Sequence, residues 1–242
     1  MHKIEKEKLR KPPRLVGRLA GSIILSGVIS LIPPVLLSYA SYFIINYFNL
    51  PVPMWLLLGL TPLYYILAKW VFNLTFLAVA RAQLKPLEEG THPVDMKNKN
   101  VRNWMINAML TSSARKFMGD PPLGQYLFNT RVYKFLKCKM GPGATANLIS
   151  DPYLVEMGKS SVGGAGSLIL PHISEEDNLY LKKIKIGDGA VIGVNSLVFP
   201  GAEIGEGAII AAYSFVPRDT KIPPNTIWAG VPVKQISPKS KK

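Results

Sequence analysis

The chain has one cysteine, Cys138, and three histidines, His2, His92 and His172. A single thiol excludes an internal disulfide and a cysteine-built zinc site. Acidic residues are also scarce, with 15 Asp and Glu against 29 Lys and Arg, a formal net charge of +14 over 242 residues. The excess does not read as nucleic-acid binding, because no aromatic-basic repeat accompanies it. Instead the cations gather beside two apolar segments and at Lys239, Lys241 and Lys242. Attraction to an anionic membrane leaflet is the simpler account. The most informative absence is of charge itself: no Asp, Glu, Lys or Arg occurs from Leu19 through Ala68.

A helix needs about 20 apolar residues to cross about 30 Å of hydrocarbon, so this run is long enough for two crossings. Asn49-Leu-Pro-Val-Pro53 should break it, since proline removes backbone donors. The expected spans are Leu19–Phe48 and Met54–Leu77, and Pro33-Pro34 should kink the first. Lys3, Lys6, Lys8, Arg10, Lys11, Arg14 and Arg18 precede the first span, whereas Arg81, Lys85, Lys97, Lys99 and Arg102 follow the second. The loop between has no basic residue, so both termini and everything after the second span belong in the cytoplasm. Lys69, inside the second span, reads either as a snorkelling side chain or as a partner for an anionic substrate group.

A connector follows. In "VRNWMINAMLTSSARKFMG", Val101, Trp104, Met105, Ala108, Met109 and Phe117 recur at helical spacing, with Arg102, Arg115 and Lys116 on a basic side. "LGQYLFNTRVYKFLKCKM" repeats the theme, and 119–124 separates the two. Such helices suit a bilayer surface, or packing onto the domain that follows. Then the period becomes six. Ile186, Ile192, Val198, Ile204, Ile210 and Val216 are successive sixth residues, with a small residue two positions before each of the last five. Six fits a short strand plus a corner, three such units closing one coil of a parallel β-helix. The count breaks after Ile169, where "PHISEEDNLYLKK" leaves the coil. Excursions from a rigid scaffold are where sites are built, and His172 stands at the start of this one. An imidazole there suits general base work, with Glu175, Glu176 and Asp177 available to orient it. A zinc site carried by the repeat would need three imidazoles, and only His172 is near it.

These residues resemble the hexapeptide-repeat acyltransferases. The stretch from Leu170 to Ile236, with a His before a short excursion, clean repeats and a closing "AGVPVKQI", is similar to the maltose and galactoside O-acetyltransferases. "GTHPVDMKNKNVRNW", "DPYLVEMG" and "WAGVP" resemble the C-terminal acetyltransferase-like domains of poly-lysine-type peptide synthetases, which also follow transmembrane helices. The resemblance implies a left-handed β-helix, a homotrimer and acetyl-CoA or another acyl-CoA as acyl donor. It makes His172 the base, with Glu175 matching the acid that follows it. It also implies a CoA groove along Gly193, Ala211, Ala212 and Ser214, with Arg218 and Lys234 meeting phosphates and Lys221 a weaker addition. Tyr213 and Val231 depart from the sugar acetyltransferase pattern, which puts the shape of the pantetheine slot in doubt. His92 replaces the aromatic of the synthetase connector and reads as a packing residue.

The expected organisation is a basic N-terminus (1–18), a transmembrane hairpin (19–84), amphipathic connector helices (85–139), an all-β left-handed parallel β-helix (140–236) and a basic tail (237–242). The expected function is membrane-anchored acyl transfer to a hydroxyl or amine of an amphiphilic or lipid-linked acceptor. No metal and no nucleic acid are involved. The alternatives are amide-bond formation from a carrier-bound aminoacyl thioester and a non-catalytic trimeric scaffold for membrane partners.

Overall fold

The computed structural model of the protein describes residues 13–49, 51, 59–118 and 125–238. The basic residues before Pro13, the expected start of the second span at Met54, the break at 119–124 and the lysines after 238 lie outside the described residues. The chain divides into two compact units, Met1–Gln83 and Leu84–Lys242.

Among its described residues the first unit contains the helices α1 (Pro13–Tyr47) and α2 (Thr61–Gln83). Both are long and apolar enough to cross a membrane, with mean hydropathy 2.1 and 1.5 over the relevant windows. α1 stays helical through Pro33 and Pro34. α2 runs past the expected end at Leu77 to Gln83. The reason is local: Ala-Val-Ala-Arg-Ala-Gln contains strong helix formers, and the first breaker is Pro86. Lys69 therefore lies fourteen residues before the end of α2, about 21 Å at 1.5 Å per residue. Ser22, Ser26 and Ser30, four apart on one face of α1, are buried. Small residues on such a face let two helices approach closely. Gln83 donates to Ser22 Oγ at 2.8 Å, and Ser41 Oγ and Tyr64 Oη lie 3.3 Å apart. On the remaining surface Leu31, Val35, Leu36, Tyr39 and Phe43 are exposed.

The second unit is built mainly from very short strands in three stacks. One stack holds Lys139–Met140, Val155–Met157, Ile184–Ile186, Glu203–Ile204 and Lys221–Ile222. A second holds Leu148–Ile149, Leu168–Ile169, Leu197–Val198 and Phe215–Val216. The third holds Val162–Gly163, Val191–Ile192, Ile209–Ile210 and Thr226–Ala229, and ends in the antiparallel strand Lys234–Pro238. From Ile184 onward the chain visits the three stacks in rotation, which is the origin of the six-residue period. The counted aliphatic residues, Ile186 to Val216, all point inward and are 0–3% exposed. Ala190, Ser196, Ala202, Ala208 and Ser214 are equally buried. Glycine recurs where successive turns press together: a Cβ on Gly187 would sit 2.6 Å from Glu206 N, and one on Gly205 2.5 Å from Pro224 N.

The outward residues differ from stack to stack. In the first, Lys139, Glu156, Lys185, Glu203 and Lys221 stand in register as a column of alternating charge. Lys139–Glu156 and Lys185–Glu203 pair at 3.0 and 3.1 Å. In the other two stacks the outward columns are apolar, Leu148, Leu168, Leu197 and Phe215 in one and Val162, Val191, Ile209 and Ile227 in the other.

The excursion is ordered. His172–Glu175 and Asn178–Leu181 form an antiparallel hairpin, which pairs in turn with Gly90–Pro93 from the connector. Its buried Leu179 and Leu181 pack with Leu154 and with Val101 of α3 (Lys99–Met118), forming a second small core. α3 and α4 (Gln125–Phe135) are the expected connector helices. Asn107, fully buried, accepts from the backbone N–H of Lys85 and donates to its carbonyl, both at 2.8 Å. That double bond fixes α3 to the start of the unit. His92 sits in the connector strand opposite Leu179, its Nε2 2.9 Å from the Glu88 carbonyl oxygen.

Candidate active site

Ile149 and Ile169 are register partners in adjacent turns of the coil. The residues just after them, Asp151 and His172, therefore meet at one corner although they are far apart in sequence. Asp151 has a fully buried side chain, and its carboxylate is hydrogen-bonded to His172 Nδ1. It also accepts from Tyr153 Oη at 2.7 Å and Ser150 Oγ at 2.9 Å. A carboxyl group buried away from water requires such partners. Burial, and then the neighbouring Asp151 charge, push the Tyr153 phenol well above its ordinary pKa, so it remains a donor to Asp151. With Nδ1–H directed at a carboxylate, Nε2 is the ring's lone-pair nitrogen. The imidazole keeps 23% of its side-chain surface exposed, and no hydrogen bond engages Nε2 among the described residues.

The ring of Trp104, on α3, lies against His172 with centroids 4.8 Å apart and planes at 59°. The Trp104 Nε1–H is buried with no hydrogen-bond partner among the described residues. Beside this pair opens a cavity of about 330 Å³, lined by His172 and Asp151, by α3, and by Tyr133, Leu136 and Ile149. Tyr133 joins α4 to the first turn of the coil: it donates to the Asn147 carbonyl and accepts from Ile149 N–H, both at 3.1 Å.

The acids following His172 do not orient it. Glu175 lies at the other end of the same strand and pairs with Arg218 at 2.5 Å, both about half exposed. The physical reason is alternation along the strand, with Leu179 and Leu181 of the paired strand committed to the core beneath. Tyr180 and Lys182 reach Asp219, and Arg218 lies 5.7 Å from the Tyr180 ring centroid. The hairpin is thereby tied to the turn after the last repeat. Asp151 is the residue that motif reading missed. The signal was present in the register, since Ile149 and Ile169 occupy one column and so place Asp151 under the point where the count breaks.

Of the residues expected along a CoA groove, Gly193, Ala211, Ala212 and Ser214 share one corner. A Cβ on Gly193 would overlap the backbone nitrogen of Ala212, so glycine there serves the close approach of two turns. Ser214 is 2% exposed, and its hydroxyl accepts from Gly230 N–H at 3.2 Å. Its hydroxyl is thus part of the corner's own bonding, whereas Ala212 and the neighbouring Tyr213 are exposed. Arg218 belongs to the hairpin's ion pairs. Lys234 is exposed opposite Ala229 at the end of the third stack, and Lys221 stands in the charged column. The described residues contain no cluster of three or more His, Cys, Asp or Glu able to hold a metal ion.

No curated protein matches the chain in sequence. Among solved structures, it is similar to a hexapeptide-repeat-containing acetyltransferase from Vibrio cholerae, with 18% identity over 50% of this chain and 85% of that one and a TM-score of 0.38. A maltose O-acetyltransferase from Clostridium difficile 630 is 17% identical over 54% of this chain and 85% of that one, with a TM-score of 0.38. A galactoside acetyltransferase in complex with coenzyme A is 20% identical over 50% and 74%, with a TM-score of 0.37. The family model for the bacterial transferase hexapeptide (six repeats) matches residues 183–218. This is the stretch in which the three stacks are most regular, and through it the chain carries the hexapeptide repeat of the bacterial transferases.

Proposed function

We propose that the protein is a membrane-anchored acyltransferase that moves an acyl group, acetyl or a close relative, from CoA to a hydroxyl or amine. The observation that carries this reading is the buried pairing of Asp151 with His172 Nδ1, which leaves Nε2 available as a base. A scaffold needs no such pair. His172 Nε2 takes the proton of the acceptor O–H or N–H as that atom bonds to the thioester carbonyl carbon. The carbon–sulfur bond then breaks, and the imidazolium returns its proton to the departing sulfur, giving acylated acceptor and CoA thiol. Asp151 holds the tautomer and offsets the transient imidazolium charge. A group of this kind supplies about 10²–10⁴-fold.

The three stacks are read as the faces of a left-handed β-helix. Two of them present apolar outward columns and one a charged column, which supports a trimer packed on the apolar faces with the charged face in water. The CoA groove then runs between copies, along Gly193, Ala211 and Ala212, with Arg218 and Lys234 for the phosphates. Glu175 enters this reading as the partner that positions Arg218, and Ser214 as part of the corner. The exposed apolar surface of α1 supports insertion of the hairpin in a bilayer, with both termini cytoplasmic from the basic flanks. An anchored enzyme favours an amphiphilic or lipid-linked acceptor.

The test is acetyl-CoA binding and slow CoA thiol release by the purified full chain, in wild type and His172→Ala. The reading expects binding in both and a loss of release of about 10²-fold or more in the variant. Absence of binding, or unchanged release in the variant, contradicts it.

A further inference from the structure

The cavity beside His172 has one feature that acyl transfer by a His–Asp pair does not require. Its lining includes a cation, Arg115. By sequence this residue counts on a basic side of the helix, yet it is only partly exposed and lines the cavity with Trp104, Ala108, Thr111 and Ser112. Trp104, Ala108, Thr111 and Arg115 follow one another at intervals of four, three and four, with Ser112 beside Thr111, so they form a single helix face. The other charged groups of the lining are already matched, since Asp151 accepts from His172, Tyr153 and Ser150. Arg115 hydrogen-bonds the Tyr133 hydroxyl, which also engages Asn147 and Ile149; burial raises the Tyr133 pKa, while the Ile149 bond and then the charge and bond of Arg115 lower it in part. No carboxylate pairs with Arg115 among the described residues.

The separation of the two ends follows from helix geometry. Helical side chains lean back over the turn before their own Cα, so the guanidinium lies near the level of position 111, seven residues beyond Trp104 and its partner His172. At 1.5 Å per residue this is about 10 Å. Between the ends the wall is apolar, from Ala108, Met109, Leu136 and Ile149.

We propose that this cavity holds the acyl acceptor and selects one bearing a phosphate or carboxylate, bound by Arg115 about two helical turns from the nucleophile at His172. The inference rests on the acyltransferase reading for the identity of its ligand as an acceptor, but not for the anion site itself. A partly desolvated guanidinium with no acidic partner among the described residues is suited to binding a carboxylate or phosphate through two oxygens. The anion is either a lipid headgroup phosphate or a free phosphorylated or carboxylated metabolite.

The test compares hexyl phosphate with 1-hexanol on the full chain in phosphatidylcholine nanodiscs, by calorimetry. Hexyl phosphate should bind at least about 10-fold more tightly, as a charge-assisted hydrogen-bonded contact gives. Arg115→Met should bring the two ligands within about twofold, and Arg115→Lys should keep part of the preference. In wild type, without any substitution, hexyl phosphate but not hexanol should protect Arg115 from phenylglyoxal, read by mass spectrometry. Equal affinities in wild type, a preference that survives Arg115→Met, or absence of protection overturns the proposal. Anion preference without acetyl transfer to any acceptor contradicts the acyltransferase reading and leaves the Arg115 site standing. Acetyl transfer without anion preference does the reverse. Both sources uphold the proposal: displacement of hexyl phosphate by phosphatidic acid in the nanodisc marks a headgroup, and its persistence marks a free metabolite.

Discussion

Residues 184–216 and 147–181 are neighbouring lengths of one solenoid, and they are used differently. In the first, side chains point inward, fill a corner, or form an outward column, and the six-residue count is unbroken. In the second, the count fails twice, once at Asp151–Leu154 and once at the His172–Leu181 hairpin, and both members of the Asp151–His172 pair stand at those failures. Regular stacking gives a rigid frame but repeats the same environment on every turn. A carboxylate and an imidazole need an environment found once, and the interruptions supply it.

The comparison makes separable predictions about stability and chemistry. The largest expected effect is in the regular part. Ile192→Ala removes a fully buried side chain from a stack with no freedom to collapse, and should cost about 2–5 kcal/mol in chemical denaturation. The native fraction should keep acetyl-CoA binding, and a loss of binding before any loss of fold would break the division between frame and site. A smaller effect is expected at Tyr213, which occupies a left-handed corner at φ +56° with 70% of its surface exposed. Tyr213→Asn should stabilise by about 1 kcal/mol, since asparagine tolerates that conformation better than an aromatic. Destabilisation instead would mean that the ring is held by something the single chain does not contain, such as a second copy.

The smallest effect belongs to the charged column. Pairing with Lys139 first, and Lys183 next, holds the Glu156 carboxyl below its ordinary value of 4.5, against a raising contribution from burial. A depressed carboxyl stabilises fully above the unfolded value and loses that contribution as pH falls from 4.5 through the lower folded value. These pairs are largely solvated, so the loss should be no more than about 1 kcal/mol. Thermal melts at pH 7 and pH 3 in wild type and Lys139→Met should therefore converge at the lower pH. A gap that persists at pH 3 would assign the lysine a packing role.

The frame was legible because its rule is periodic: six counted aliphatic residues and the small residues before them all proved buried. Helix extents were less so, because α2 continues on helix propensity to the approach of Pro86, beyond the end of the apolar run. The site was half legible. His172 announced itself where the count broke, but its partner did not, because pairing across adjacent turns depends on three-dimensional register. Local reasoning therefore offered Glu175, Glu176 and Asp177, and the resemblance singled out Glu175, which is paired elsewhere. Arg115 stood only as part of a basic side of the connector, because its place in the cavity depends on how that helix packs onto the domain that follows.

The most direct test of the account is a double-mutant cycle on slow CoA thiol release from acetyl-CoA, using Asp151→Asn, His172→Ala and the pair. Asp151→Asn alone should lower the rate about 10-fold to 100-fold, the equivalent of a charge-assisted hydrogen bond. If Asp151 acts only through His172, the double variant should be no slower than His172→Ala. Multiplication of the two single losses would contradict it.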